Sequence, residues 1–297
     1  MKKIAFAVSA EYDGRTIDDK LLADFLHGLG FDAKTIIWDK SESSGEDFDT
    51  LFVNACWGYH KQPEKFLNWI TKLETCGVKI FNPPSVLRWN YDKIYLRNLA
   101  LSGLKLPSTV WLEKGAAGNL LEILLKNNWQ KAVLKPRISA TAWRTFVVTP
   151  DNASGLQAEF ENLLETGGVL IQEFIDEIKT RGEWSFIFFN KEYSHAVLKR
   201  TKGDDFRVQS DFGGTFEFVA EPPPFLIKAA QKIISTVEEN LLYARVDGID
   251  TGSDFLLMEL ELIEPLLFLE NSQAALERFG LAISRRMEVE NFKLAAD

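Results

Sequence analysis

The chain has 297 residues, of which 46% are hydrophobic and 26% charged, with a formal net charge of -9. That composition excludes an intrinsically disordered chain, and the acidic balance argues against nucleic-acid binding, which needs a basic face. No apolar run approaches the roughly 18 residues of a membrane span. The length permits one to three domains.

The start, MKKIAFAVSAEYDGRT, meets acids directly after a short apolar run, so it reads as a first β-strand rather than a signal peptide. Cys56 and Cys76 lack metal-ligand spacing and are expected as reduced thiols. A cytoplasmic protein is the expectation. Strands are predicted at Lys3–Ser9, Phe31–Trp38, Thr50–Asn54 and Val78–Asn82. Helices at Asp18–Leu29 and Pro63–Cys76 carry apolar residues at helical spacing. This alternation predicts a small parallel α/β domain over residues 1–85. Its ligand-binding ends would carry Ser9–Tyr12 and Asn54–His60.

Pro83 and Pro84 punctuate the chain. A helix containing Asn90–Leu101 follows, then strands at Val110–Leu112, Ala132–Lys135, Thr145–Val148 and Val169–Ile171, with helices at Asn119–Asn128 and Ala153–Glu165. This is a second α+β unit. A third begins near Gln172, with strands at Glu183–Phe189 and Tyr193–Leu198, a loop at Gly203–Gly214, a long helix at Phe225–Leu242 and a final helix at Gln273–Glu290.

Between those last helices lies YARVDGIDTGSDFLLMELELIEPLLF. If DTGSD closes a hairpin, Asp247 lies opposite Glu259 and Glu261, which share a face because alternate strand residues do. Three converging carboxylates need a positive neutraliser, and a divalent cation with oxygen ligands is one. An ordinary solvated strand face fits the same residues equally well. Arg245 shares the face of Asp247.

Four separated motifs stand in order: WNYDKIYLRNLALSGLKLPST, AVLKP, VLIQEFI with GEWSF, and ARVDG with LLMELELIEP. Together they resemble the ATP-grasp superfamily, within it the glutathione-synthetase-like group, over roughly residues 80–285. The runs WNYDKIYL, SHAVLKR, DFRVQ, FGG and ELELIEP resemble a narrower group, the O-ureido-D-serine cyclo-ligases of cycloserine biosynthesis and their relatives. The resemblance implies three parts: an N-terminal α/β substrate domain (1–85), a linker helix and α+β lid subdomain (86–171), and a C-terminal α+β subdomain with the metal site (172–297). ATP would lie between the last two. The implied reaction is ADP-forming ligation: a carboxylate becomes an acyl phosphate and a nitrogen nucleophile attacks it.

Residue by residue, the resemblance implies that Lys93 and Lys135 contact ATP and that Gln172, Glu173, Phe174 and Ile175 form the adenine hinge. Glu183 would accept from ribose hydroxyls. Lys199, rather than Arg200, would face the phosphates, and Arg245 would stabilise the transferred phosphoryl. Arg207 and Gln209 would approach the γ-phosphate and substrate. Asp247, Glu259 and Glu261 match the metal-ligand positions. Glu261 replaces the usual asparagine, and its extra charge suits two divalent ions, Mg²⁺ or in its place Mn²⁺. His195 reads as structural, and Glu264 either borders the substrate or ends the strand. Two departures matter. PRISATAWRTF lacks the lid-loop glycines that let backbone approach phosphate. Asn54, Ala55 and Gly58 replace the arginine, serine and aspartate of the cyclo-ligase pattern, which implies a substrate other than O-ureido-D-serine. The expected partners are ATP and a small amino-acid-like carboxylate, with a homodimer common among the relatives. The alternatives are a non-catalytic nucleotide-binding module acting as partner or scaffold, and a phosphotransferase whose product is phosphorylated.

Overall fold

Three β-sheets organise the computed structural model, which describes residues 2–12, 17–40, 47–203, 207–208 and 212–294. The first holds β1 (Lys3–Val8), β2 (Asp32–Ile37), β3 (Thr50–Ala55) and β4 (Lys79–Phe81), all parallel in the order β2-β1-β3-β4. Helices α1 (Ile17–Gly28) and α2 (Pro63–Thr75) make crossovers. A strand covered on both faces must be apolar throughout, and β1 is buried from Ile4 to Val8.

One expected helix over Asn90–Leu101 is instead two: α3 (Pro84–Asn90) and α4 (Ile94–Leu101). The break has a local cause. The Lys93 N–H donates to Arg137 O (3.0 Å) instead of to the preceding turn, and Asp92 Oδ1 accepts from the Ile94 N–H (2.9 Å). Asp92 is held in turn by Arg137 through Nε (2.9 Å) and Nη2 (2.7 Å).

The second sheet is antiparallel, with β5 (Thr109–Leu112), β6 (Ala132–Pro136), β7 (Phe146–Val148) and β8 (Val169–Glu173) in the order β5-β8-β6-β7. It is backed by α5 (Leu120–Asn127) and α6 (Ala153–Thr166), around a core containing Leu124, Leu134, Phe160 and Ile171. The third sheet runs β11-β10-β9-β12-β13, from β9 (Glu183–Phe189), β10 (Glu192–Arg200), β11 (Thr215–Val219), β12 (Tyr243–Asp250) and β13 (Phe255–Glu261). A short helix, α7 (Glu177–Thr180), precedes it, and β11 is a strand the sequence pattern did not announce.

Helix α8 (Pro224–Ser235) stops well short of the expected Leu242. The Lys191 ammonium takes the carbonyls of Val237 and Glu238 that a longer helix would have used, and Leu241 and Leu242 are buried as the chain enters β12. Helix α9 (Gln273–Leu294) extends past the expected end.

The first and third sheets share one core, in which Ile4, Phe6 and Leu26 meet Ile187, Tyr243 and Phe279. Polar bridges reinforce it. The Tyr243 hydroxyl lies 2.6 Å from Val53 O and 2.8 Å from Ile263 O, and Asn82 Nδ2 donates to Tyr243 O and Leu262 O, both at 2.8 Å. Among the described residues no helix is long and apolar enough to cross a membrane.

Candidate active site

The hairpin β12–β13 sets the electrostatics. Thr251 N–H donates to Asp254 O (2.9 Å), and Gly252 takes φ 88°, a turn that fixes the register. Asp247 then pairs with Glu259 and Arg245 with Glu261, and a bulge separates Asp247 from Gly248. At Gly248 a Cβ would stand 2.6 Å from Leu256 O, so the bulge leaves no room for a side chain.

Asp247 is 3% exposed. Its carboxylate accepts from Ser185 Oγ (2.6 Å), Lys199 Nζ (3.2 Å), and Arg245 Nε and Nη2 (both 2.9 Å). Burial alone would raise its pKa, but Arg245 and Lys199 overcome that and hold it below the usual carboxylate range. Arg245 reaches on to Glu261 and, through Nη1, to Leu266 O (3.0 Å). Lys199 also pairs with Glu183. Arg200, on the opposite strand face, is exposed beside Glu217.

Two lysines close the other side. The α3–α4 turn directs Lys93, whose Nζ donates to Ser139 O (2.8 Å) and stands 3.4 Å from Glu259. Lys135, near the end of β6, stands 3.4 Å from the same carboxylate. Both are buried, and burial lowers the Lys135 pKa. Glu259 stays depressed between them despite its enclosure. Glu261 behaves oppositely: burial and the neighbouring Asp247 and Glu259 outweigh Arg245 and push it up to about 8. Burial also raises Glu183.

These groups line one cavity of about 380 Å³, to which the second and third sheets and the Trp57–Tyr59 turn contribute. Gln172, Glu173, Phe174 and Ile175 line its far end. Gln172 is 1% exposed, its Nε2 donates to Thr109 Oγ1 (3.3 Å), and its Oε1 has no partner among the described residues. The N–H groups of Glu173 and Phe174 are engaged with Ser108 O (2.8 Å) and Lys131 O (3.1 Å), so neither is left for a base. Arg207 lies at the cavity wall with its guanidinium 3.5 Å above the Phe212 ring, whereas Gln209 lies outside the described residues. His195 is buried away from the cavity, between Ser194 Oγ (2.9 Å) and Leu267 O (3.0 Å).

Comparison with known proteins bears on the fold. Residues 4–82 match the family model of the N-terminal domain of D-cycloserine synthetase DcsG. The cycloserine biosynthesis protein DcsG of Streptomyces lavendulae is 24% identical over 276 residues, covering 88% of this chain and 90% of that protein. The crystal structure of D-cycloserine synthetase DcsG superposes with a TM-score of 0.82 at 22% identity, over 96% of this chain and 99% of that one. The RimK domain ATP-grasp protein of Sphaerobacter thermophilus gives 0.69 at 16% identity over 94% and 97%. D-alanine–D-alanine ligase of Bacillus anthracis gives 0.68 at 17% over 98% and 100%.

The chain has the ATP-grasp fold.

Within this ATP-grasp frame the donor chemistry suits magnesium: Asp247, Glu259 and Glu261 offer only oxygen. Burial and the neighbouring carboxylates raise Glu261 even though Arg245 pairs with it. Among the described residues, however, no three acidic, histidine or cysteine side chains stand in metal-holding geometry, and Arg245 spans Asp247 and Glu261.

The loop after β6, residues 137–145, contains no glycine. Thr141, Ala142 and Arg144 take φ of 50°, 55° and 48°, conformations glycine would adopt without strain. Trp143 nevertheless anchors the loop, its ring 5.3 Å from that of His60.

Sequence reasoning missed the groups that hold the cavity wall in place. Asn90 donates to Leu260 O (2.8 Å) and accepts from Leu262 N–H (3.0 Å), and the Tyr95 hydroxyl accepts from Leu260 N–H (3.0 Å), so both clamp β13. Their signal was present in WNYDKIYL, as polar groups set among apolar residues on either side of the helix break. Ser185 had no such signal.

Proposed function

We propose that the chain is an ATP-dependent, ADP-forming carbon–nitrogen ligase that activates a small amino-acid-like carboxylate as an acyl phosphate for attack by a nitrogen nucleophile. One observation carries the reading: four buried cations, Lys93, Lys135, Lys199 and Arg245, line one cavity with Glu183, Asp247, Glu259 and Glu261. Phosphoryl transfer chiefly needs positioning and charge neutralisation, and this cavity supplies both.

In this reading Lys93, Lys135 and Lys199 exchange part of their contact with carboxylates for contact with phosphate oxygens. Arg245 faces the transferred phosphoryl, and Arg207 approaches from the cavity wall. Gln172 Oε1 accepts from the adenine amino group, and the Ile175 backbone completes the hinge. Glu183 lies within reach of the ribose. Asp247, Glu259 and Glu261 hold Mg²⁺, which neutralises phosphate charge. The chain divides into the substrate domain (1–85), the lid with its linker (86–171) and the metal-bearing subdomain (172–297). The DcsG and D-alanine–D-alanine ligase likenesses support amino-acid chemistry.

The test is ADP release with Mg-ATP and a broad panel of amino acids, with product mass spectrometry. Amino-acid-dependent ADP and an amide-type product are expected. Tight ATP binding without turnover across the panel would favour the scaffold alternative, for which the strained, glycine-poor lid loop is the motive. A phosphorylated product without ligation would instead mark a phosphotransferase.

A further inference from the structure

Among the described residues three acids are buried: Asp247, Asp250 and Glu264. Asp247 has Arg245 and Lys199 beside it, and Asp250 has Arg181. Glu264 is 8% exposed and lines the cavity, yet no ion pair joins it to a described residue. The two cations that act on it through space, Lys93 and Arg245, are committed elsewhere: Lys93 to Ser139 O and Glu259, Arg245 to Asp247 and Glu261. Burial pushes the Glu264 carboxyl up to about 7 although Lys93 and Arg245 pull it down, and a cation placed beside it would complete the pair and hold it ionised.

The backbone around Glu264 is fixed from several directions. Leu262 N–H donates to Asn90 Oδ1 (3.0 Å), and Ile263 O lies 2.8 Å from the Tyr243 hydroxyl. Glu264 O accepts from Trp57 Nε1 (3.0 Å), and Leu266 O from Arg245 Nη1 (3.0 Å). The backbone that carries the carboxylate is therefore held in place, as the support of a binding group must be. Trp57 and Tyr59 line the same cavity. Aromatic faces beside a carboxylate make a receptor for an ammonium ion. A zwitterion would satisfy both poles here, with its carboxylate toward the lysine and arginine side and its ammonium toward Glu264.

We propose that Glu264 is the specificity-determining anchor for the ammonium group of an α-amino-acid substrate, so that the acid activated in this cavity carries a free, protonated amine. The inference rests on the ligase reading above and names the feature by which the site selects its acid.

The experiment is titration calorimetry on the full chain with Mg-ADP. The ligands are the proteinogenic amino acids and their D-enantiomers, each beside the same acid lacking the amino group. Binding by at least one amino acid and much weaker binding by its des-amino partner is expected. Glu264→Gln should weaken the amino acid on the order of a hundredfold, as loss of one partner of a desolvated charge pair does, and leave the des-amino acid unaffected. Glu264→Asp should recover part of the loss, and thermal unfolding checks that both variants fold. Equal binding of the two acids, no amino-acid binding at all, or unchanged affinity in Glu264→Gln would overturn the assignment. ADP release separates the two levels. An amino acid that binds through Glu264 without releasing ADP refutes the ligase reading alone. Equal turnover of amino and des-amino acids refutes the role of Glu264 alone.

Discussion

Asp247→Asn removes one negative charge from the centre of the third sheet while barely changing shape. The aspartate joins Ser185, Lys199 and Arg245 in one buried cluster. Breaking a buried ion pair costs about 3–5 kcal/mol, because the partner charge stays behind uncompensated. Here Arg245 keeps Glu261 and Lys199 keeps Glu183, so the lower end, about 3 kcal/mol, is expected. For a chain of this size that corresponds to a melting point lower by roughly 6 °C. Denaturant unfolding at neutral pH measures the free energy, and calorimetry the melting point. Lys199→Met in the same background should restore part of the loss, with a coupling of about 1–3 kcal/mol. Because the folded-state carboxyl is depressed, its contribution is complete above about pH 4 and is lost only as pH falls through the lower folded-state value. A loss within about 0.5 kcal/mol, the range of ordinary surface changes, or strict additivity with Lys199→Met, would refute the view of Asp247 as the electrostatic hub. ADP release should vanish in the same variant.

Other consequences are equally direct. His60 is 6% exposed, both ring nitrogens lack a partner among the described residues, and burial, with Lys61 and Lys93 nearby, lowers its pKa to about 4. Its neutral-state contribution is present above about pH 6.5 and is lost as pH falls through about 4, worth about 3 kcal/mol across that window. His60→Phe should flatten the acid limb of the stability–pH curve accordingly, and identical limbs would contradict it. Gly248→Ala forces a Cβ against Leu256 O and the Phe255 ring, so denaturant unfolding should show about 1–3 kcal/mol of overpacking loss. Gln172→Leu deletes an unsatisfied carbonyl, so the melting point without nucleotide should hold or rise. ATP affinity by calorimetry should nonetheless weaken about tenfold, as for one hydrogen bond.

Much of this fold was legible because its signals are local. Strand β9 was read at Glu183–Phe189 from its apolar run, and the Asp247–Glu259 register followed from a turn and a period of two. The errors came from long-range partners that override local pattern. The helix around Lys93 reads as continuous until Arg137, far along the chain, claims both Asp92 and the Lys93 N–H. Helix α8 reads as longer because nothing in Thr236–Leu242 reveals that Lys191 will take its carbonyls. The same holds within the site. The lysines and carboxylates could be singled out as residues, but which cation sits on which acid is settled only when three sheets meet. Glu264 is the sharpest case, since its isolation depends on where Lys93 and Arg245 spend their hydrogen bonds.

The shared core of the first and third sheets has a mechanical consequence. Asn82 and Tyr243 bolt the outgoing end of β4 to the strands that carry Arg245 and Glu261, so those two sheets are tied into one body. The second sheet has its own interior, so a segment exchanged between relatives would best be cut on either side of it.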